Sequence, residues 1–131
     1  MNDIFENIDI KTAEALAGSE ALTSMLADGA GSIYHDDAPD DGVYPILVYT
    51  TISEVPAMNA DNGLYAWQKV VRVTVIDNTQ TRRHAFKEAI YKAMKQAGFA
   101  WQMTNTMKNI NEYYLIMDFL YAELSTDYLE V

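Results

Sequence analysis

The chain has 131 residues, of which 50% are apolar and 21% charged, a balance typical of a folded globular domain and unlike that of a disordered tail. At this length one core suffices, so residues 1–131 read as a single domain. The net charge of -10 argues against tight nucleic-acid binding, which needs clustered Lys and Arg, and the lack of cysteine excludes disulfides, thiolate nucleophiles and cysteine metal sites.

Ile4, Phe5, Ile8, Ala13 and Leu16 recur at helical spacing and predict an amphipathic helix that ends near Gly18. Asp3, Glu6 and Asp9 in the same stretch do not fit the basic start of a signal peptide. Ser19 is a good N-cap for a second short helix over residues 20–27, and Gly29 and Gly31 stop it. A short edge strand is expected over residues 32–35. Residues 36–42 then carry turn chemistry throughout, with Asp36, Asp37, Asp40 and Asp41 forming an exposed acidic loop around Pro39.

Residues 43–52 are rich in β-branched and aromatic side chains and predict a strand, central beyond Pro45. Residues 54–66 hold Pro56, Asn59, Asp61, Asn62 and Gly63, with Met58, Leu64 and Tyr65 as the large apolar groups; they predict a long loop, a kind of connection that is usually functional or mobile. Residues 67–76 alternate clearly, with Val71, Val73 and Val75 on one face and Val70, Arg72, Thr74 and Ile76 on the other.

Asn78 or Thr79 should cap a helix that runs to about Ala97, is closed by Gly98 and points Phe86, Ala89, Ile90, Ala93 and Met94 inward. Burying Phe86, Ile90 and Met94 contributes about 1.5–3 kcal/mol each, more than a surface charge pair supplies, so packing sets the position of this helix. Two last strands, over 99–107 and 112–124, form a hairpin, with Phe99, Trp101 and Met103 on one face. The longest near-apolar run, residues 113–122, contains Asp118 and is far short of the ~20 residues of a membrane span, so no membrane partner is expected. The fold class that follows is α/β (α+β): a mostly antiparallel four- to five-stranded sheet with one long helix and the N-terminal helices packed on it.

No constellation singles out a catalytic, cofactor or metal site. His35 and His84 fall in different elements without a zinc-like spacing, and the four aspartates of the acidic turn lack the alternating ligands of a calcium loop. Gly29-Ala30-Gly31 leads into a strand, the wrong order for a phosphate loop, and no serine or threonine sits in a nucleophile motif. The charge is uneven, however. Residues 1–62 hold twelve carboxylates against Lys11 alone, whereas residues 63–131 hold seven against eight cations. Arg82, Arg83, Lys87, Lys92 and Lys95, opposed by Glu88, make the helix after residue 78 a basic patch, which is either a solvated face or a docking surface for an acidic partner such as the acidic half of a neighbouring copy.

The order of these features carries a resemblance: N-terminal helices, Ile33-Tyr34, an acidic turn with Pro39, the run Val43-Tyr44-Pro45-Ile46-Leu47-Val48-Tyr49, the strand from Val70 to Ile76, and a helix closed by Gly98-Phe99. In this order the chain resembles the tail-completion, or tail-terminator, proteins of long-tailed bacteriophages and prophages, over roughly residues 10 to 100. It departs from the family pattern at Ile46, where an aromatic is expected, and in the acidity of its turn. The resemblance implies a structural protein of the virion tail without a cofactor or enzymatic residues. It further implies a homo-oligomeric ring, usually a hexamer, that caps the tail tube protein, joins it to the head-tail connector protein at the head-proximal end, and lets DNA pass through its lumen.

On that reading, Met58, Leu64 and Tyr65 insert against a neighbour or the tube, Arg82, Arg83 and Lys87 belong to an interface, and Asp36, Asp37, Asp40 and Asp41 face the lumen or a partner. The competing reading is a small-molecule-binding or regulatory α/β domain, to which a pocket lined by Tyr44, Tyr49 and Trp67 with converging polar groups would point. Tightly coupled carboxylates in a deep cleft would favour an enzyme of unrecognised type.

Overall fold

The computed structural model describes residues 7–40, 42–59 and 64–125, with the backbone alone at 56–59, 64–66 and 123–125. Ile4, Phe5 and Asp41 lie outside the described residues. Helix α1 (Ile8–Ala17) starts where Asn7 accepts a hydrogen bond from the Ile10 amide at 3.1 Å and buries Ile8, Thr12 and Leu16. Helix α2 (Glu20–Thr23) is capped by Ser19, as its sequence predicts, but lasts one turn before a 3-10 turn over Gly29–Ser32.

Five strands follow: β1 (Ile33–His35), β2 (Ile46–Asn59), β3 (Leu64–Asp77), β4 (Ala100–Lys108) and β5 (Tyr113–Ser125), with helix α3 (Arg83–Gln96) between β3 and β4. They form one sheet in the order β1-β2-β3-β5-β4. All pairs are antiparallel except β1 with β2, so the sheet is mixed. This is the expected α+β class, with five strands and a parallel edge.

All the helices lie on one face. Leu47 and Tyr49 of β2, Val71, Val73 and Val75 of β3 and Leu115, Met117 and Phe119 of β5 point to that face and pack with Leu16, Leu22, Phe86, Ile90 and Met94. The two-residue period of the strands and the α3 stripe therefore meet as the sequence predicts. The other face of the sheet is open among the described residues, and it carries Val48, Val70, Ile76, Ile116 and Leu120, all only half-buried.

Three local expectations are corrected. Residues 54–59 and 64–66, expected in a long loop, are strand: β2 and β3 stay paired from Ile46↔Ile76 out to Asn59↔Leu64, which makes a long hairpin. Pro56 is tolerated there because β1 pairs only with Leu47, Val48 and Tyr49, leaving β2 at the sheet edge beyond them among the described residues. Helix α3 begins at Arg83, not at 79 or 80, because Thr79 bonds the Thr81 amide at 3.3 Å in a local turn and Arg82 is held back by Asp77. Finally, a bulge between Trp101 and Met103 turns Met103 to the face of Asp118, opposite the face of Trp101 and Phe119.

The end of α3 does follow its sequence. Gly98 takes φ 95°, Phe99 donates to the Met94 carbonyl and Gly98 to that of Lys95, each at 3.0 Å, and Phe99 and Met94 bury their side chains. This double closure satisfies two end carbonyls of the helix and fixes the angle at which β4 begins.

Candidate functional site

Charged side chains buried in the sheet are engaged in pairs. Asp118, 6% exposed, receives two hydrogen bonds from Arg72, at 2.9 and 3.0 Å, across β3 and β5 on the open face. Asp77, 4% exposed, holds the Arg82 guanidinium at 3.1 and 2.7 Å and also accepts from the Asn78 amide. Lys69 is fully buried, with its amino group 3.7 Å from Glu54. These pairs brace the sheet, linking β3 to β5, β3 to the turn before α3, and β2 to β3.

At one end of the open face Glu112 receives hydrogen bonds from the hydroxyls of Tyr44 and Tyr114, the latter at 2.7 Å. The bond from Tyr44 first, then that from Tyr114, pull the Glu112 carboxyl below its ordinary value, while the same contacts raise both phenols. This cluster ties the segment before β2 to the turn between β4 and β5.

The acidic turn gathers at the β1 edge. Asp36 sits in the left-handed region at φ 68°, a conformation that Asp tolerates; its carboxylate accepts from Thr50 at 2.7 Å and its amide donates to the Tyr49 carbonyl. His35 stacks on Tyr49 and brings its Nε2 to 3.4 Å from Asp9 and 3.5 Å from Asp36. Asp9 also accepts from Thr51 at 2.7 Å. Burial, and then Asp9 and Asp36, raise the Tyr49 phenol above its ordinary value. Asp37 and Asp40 are exposed beside this corner. Among the described residues no group of three or more His, Asp or Glu could hold a metal ion, and no helix is long and apolar enough to cross a membrane.

Of the basic residues, Arg82 is committed to Asp77. Arg83 lines a narrow crevice with Asp77, Phe86 and Tyr113, and Lys87 lines a groove of about 340 Å³ between α3 and β4 with His84, Glu88, Tyr91, Trp101 and Met117. Trp101 is 50% exposed there and Tyr91 38%, with Lys95 stacked 5.7 Å over the Tyr91 ring. Sequence reasoning paired Trp101 with Phe99 and missed this surface; the signal was present in the absence of a partner stripe for residues 84, 87, 91 and 95 on α3.

Met58, Leu64 and Tyr65 lie on the paired strands of the β2–β3 hairpin, Met58 opposite Tyr65. The pocket that would point to the small-molecule reading is not formed among the described residues. Tyr44 bonds Glu112 near the open face, Tyr49 is buried on the helix face, and Trp67 stands six residues along β3 from Val73, the partner of Tyr49, or about 20 Å at the usual strand rise.

No curated protein matches this chain. Among solved structures, one similar chain comes from a structure described as "Virion of native gene transfer agent (GTA) particle", with 15% identity, coverage of 85% of this chain and 98% of that chain, and a TM-score of 0.48. A family model described as "Tail completion protein gp17" matches residues 13–108, from within α1 to the end of β4 and so well over half of the chain. The chain therefore belongs to the tail completion protein gp17 family and is a structural protein of a phage tail.

Proposed function

We propose that the protein forms a ring, hexameric in the usual case, that caps the tail tube at full length and joins it to the head-tail connector at the head-proximal end of the tail. The observation that carries this reading is membership of the tail completion family across α1 to β4. The mechanism is geometric and not enzymatic: a ring that matches the end of the tube stops further addition of tube subunits, offers its second face to the connector, and multiplies weak contacts by its symmetry.

In this account the β2–β3 hairpin is the arm that reaches the tube, with Met58, Leu64 and Tyr65 in the contact. Arg83 and Lys87 serve the contact between copies, and Arg82 supports them through Asp77. The acidic turn, Asp36, Asp37, Asp40 and Asp41, faces the neighbouring copy at its Asp36 end and the lumen beyond it, where negative charge keeps passing DNA from adhering. Replacing Met58, Leu64 and Tyr65 together by serine should leave the fold intact and abolish retention on purified tail tubes; unchanged binding and unchanged tail length would overturn the role of the arm.

A further inference from the structure

The two edges of the sheet are built differently. The β1 side is guarded: β1 is three residues long, β2 beyond it carries a bulge at Ile52, then Glu54 and Pro56, and Asp9 and Asp36 stand beside it. Short strands, bulges, charge and proline keep an edge from pairing with its like, so what can pair here is a partner edge of complementary charge. The β4 side is not guarded. Its bulge lies at the start and Lys108 at the end, and the intervening Met103-Thr104-Asn105-Thr106-Met107 has neither charge nor proline, with Met107 56% exposed.

Charge decides what can approach each edge. Lys87 and Lys95 flank β4 on the helix face and Lys108 closes its end, while Glu88 in the same groove faces His84 at 3.3 Å. At the far edge stand Asp9, Asp36 and Glu54, the last partly offset by Lys69 beneath it. Two β4 edges brought together would oppose lysines, and two β1–β2 edges would oppose carboxylates. The head-to-tail arrangement alone sets unlike charges against each other.

Resting on the ring reading above, we propose that the β4 edge, with the Trp101–Tyr91 groove beside it, is the seat of a second copy of this chain, which docks through its acidic β1–β2 edge so that the sheets run on from one subunit to the next. Strand directions agree. β1 and β2 are parallel, and each of the steps to β3, β5 and β4 reverses the direction, so β4 meets β1 and β2 of the next copy antiparallel. A contact between two different patches of this kind closes into a ring when its rotation permits.

The absence of cysteine permits a direct test. Asn105→Cys is combined in turn with His35→Cys, Ser53→Cys and Val55→Cys in the full chain, and each double variant is treated with a short bismaleimide, whose reach tolerates a shift of strand register. The proposal predicts, for at least one pair, loss of the monomer band and a ladder at successive multiples of the chain mass, while N105C alone stays uncross-linked. A dimer from N105C alone would mean that two β4 edges pair, and would overturn it. An assembled oligomer that gives no ladder with any pair would also overturn it, leaving the ring reading intact. Masking of N105C from maleimide only when tail-tube protein is added would assign the edge to the tube instead. If the untreated protein assembles neither alone nor with tail-tube protein, the ring reading itself fails.

Discussion

Arg72 and Asp118 face each other across β3 and β5 and share two hydrogen bonds of 2.9 and 3.0 Å at the middle of a sheet face that no helix covers among the described residues. The carboxylate is 9% exposed and the guanidinium 40%, so the pair is half in water. Arg72→Leu leaves a nearly buried carboxylate without its partner and should cost about 2–3 kcal/mol in urea unfolding, less than the 3–5 of a fully buried pair because the site is partly solvated. The double variant R72L/D118L should recover most of that loss. Equal losses in the single and double variants would show that the pair does not act as a unit.

The core under α3 makes a larger demand. Phe86 is 1% exposed and packs within the cluster that joins α3 to the sheet. Phe86→Ala should destabilise the domain by about 3–5 kcal/mol, read as a lower denaturation midpoint with an unchanged slope.

Gly98 illustrates conformation without crowding. A Cβ at this position would meet the Tyr121 ring at an ordinary 3.5 Å, so the cost of Gly98→Ala comes from its φ of 95°. The expected loss is about 1–2 kcal/mol, and a neutral or stabilising change would mean that the turn relaxes to another closure.

Acid sensitivity should register at Glu112. Its folded value is lowered by Tyr44 and Tyr114 from an ordinary 4.5, so its contribution is fully present above that value and is lost as pH falls through the lower, folded one. Glu112→Gln should therefore narrow the gap in unfolding midpoint between about pH 6 and about pH 3, with little effect on the acid side. An unchanged gap would place the acid response elsewhere.

Much of this fold was legible in the sequence because its signals are local and mutually consistent. Val71, Val73 and Val75 alternate, the stripe on α3 repeats at helical spacing, and Gly98-Phe99 announces the end of that helix. What escaped was set by pairing. Pro56, Asn59 and Gly63 look like loop residues by composition, and only the ladder to β3 makes strand of residues 54–59. The bulge beside Trp101, which sends Met103 to the other face and helps leave Trp101 exposed, has no sequence signature at all. The charge polarity was visible as a count along the chain, but its meaning depends on β1 and β4 lying at opposite edges.

The central claim, that this tail completion protein acts as a ring on the tube, is tested most directly by native mass measurement of the purified chain, alone and mixed with tail-tube protein. The account predicts a closed oligomer, six copies in the usual case, that binds tube ends. A strict monomer in both samples would contradict it.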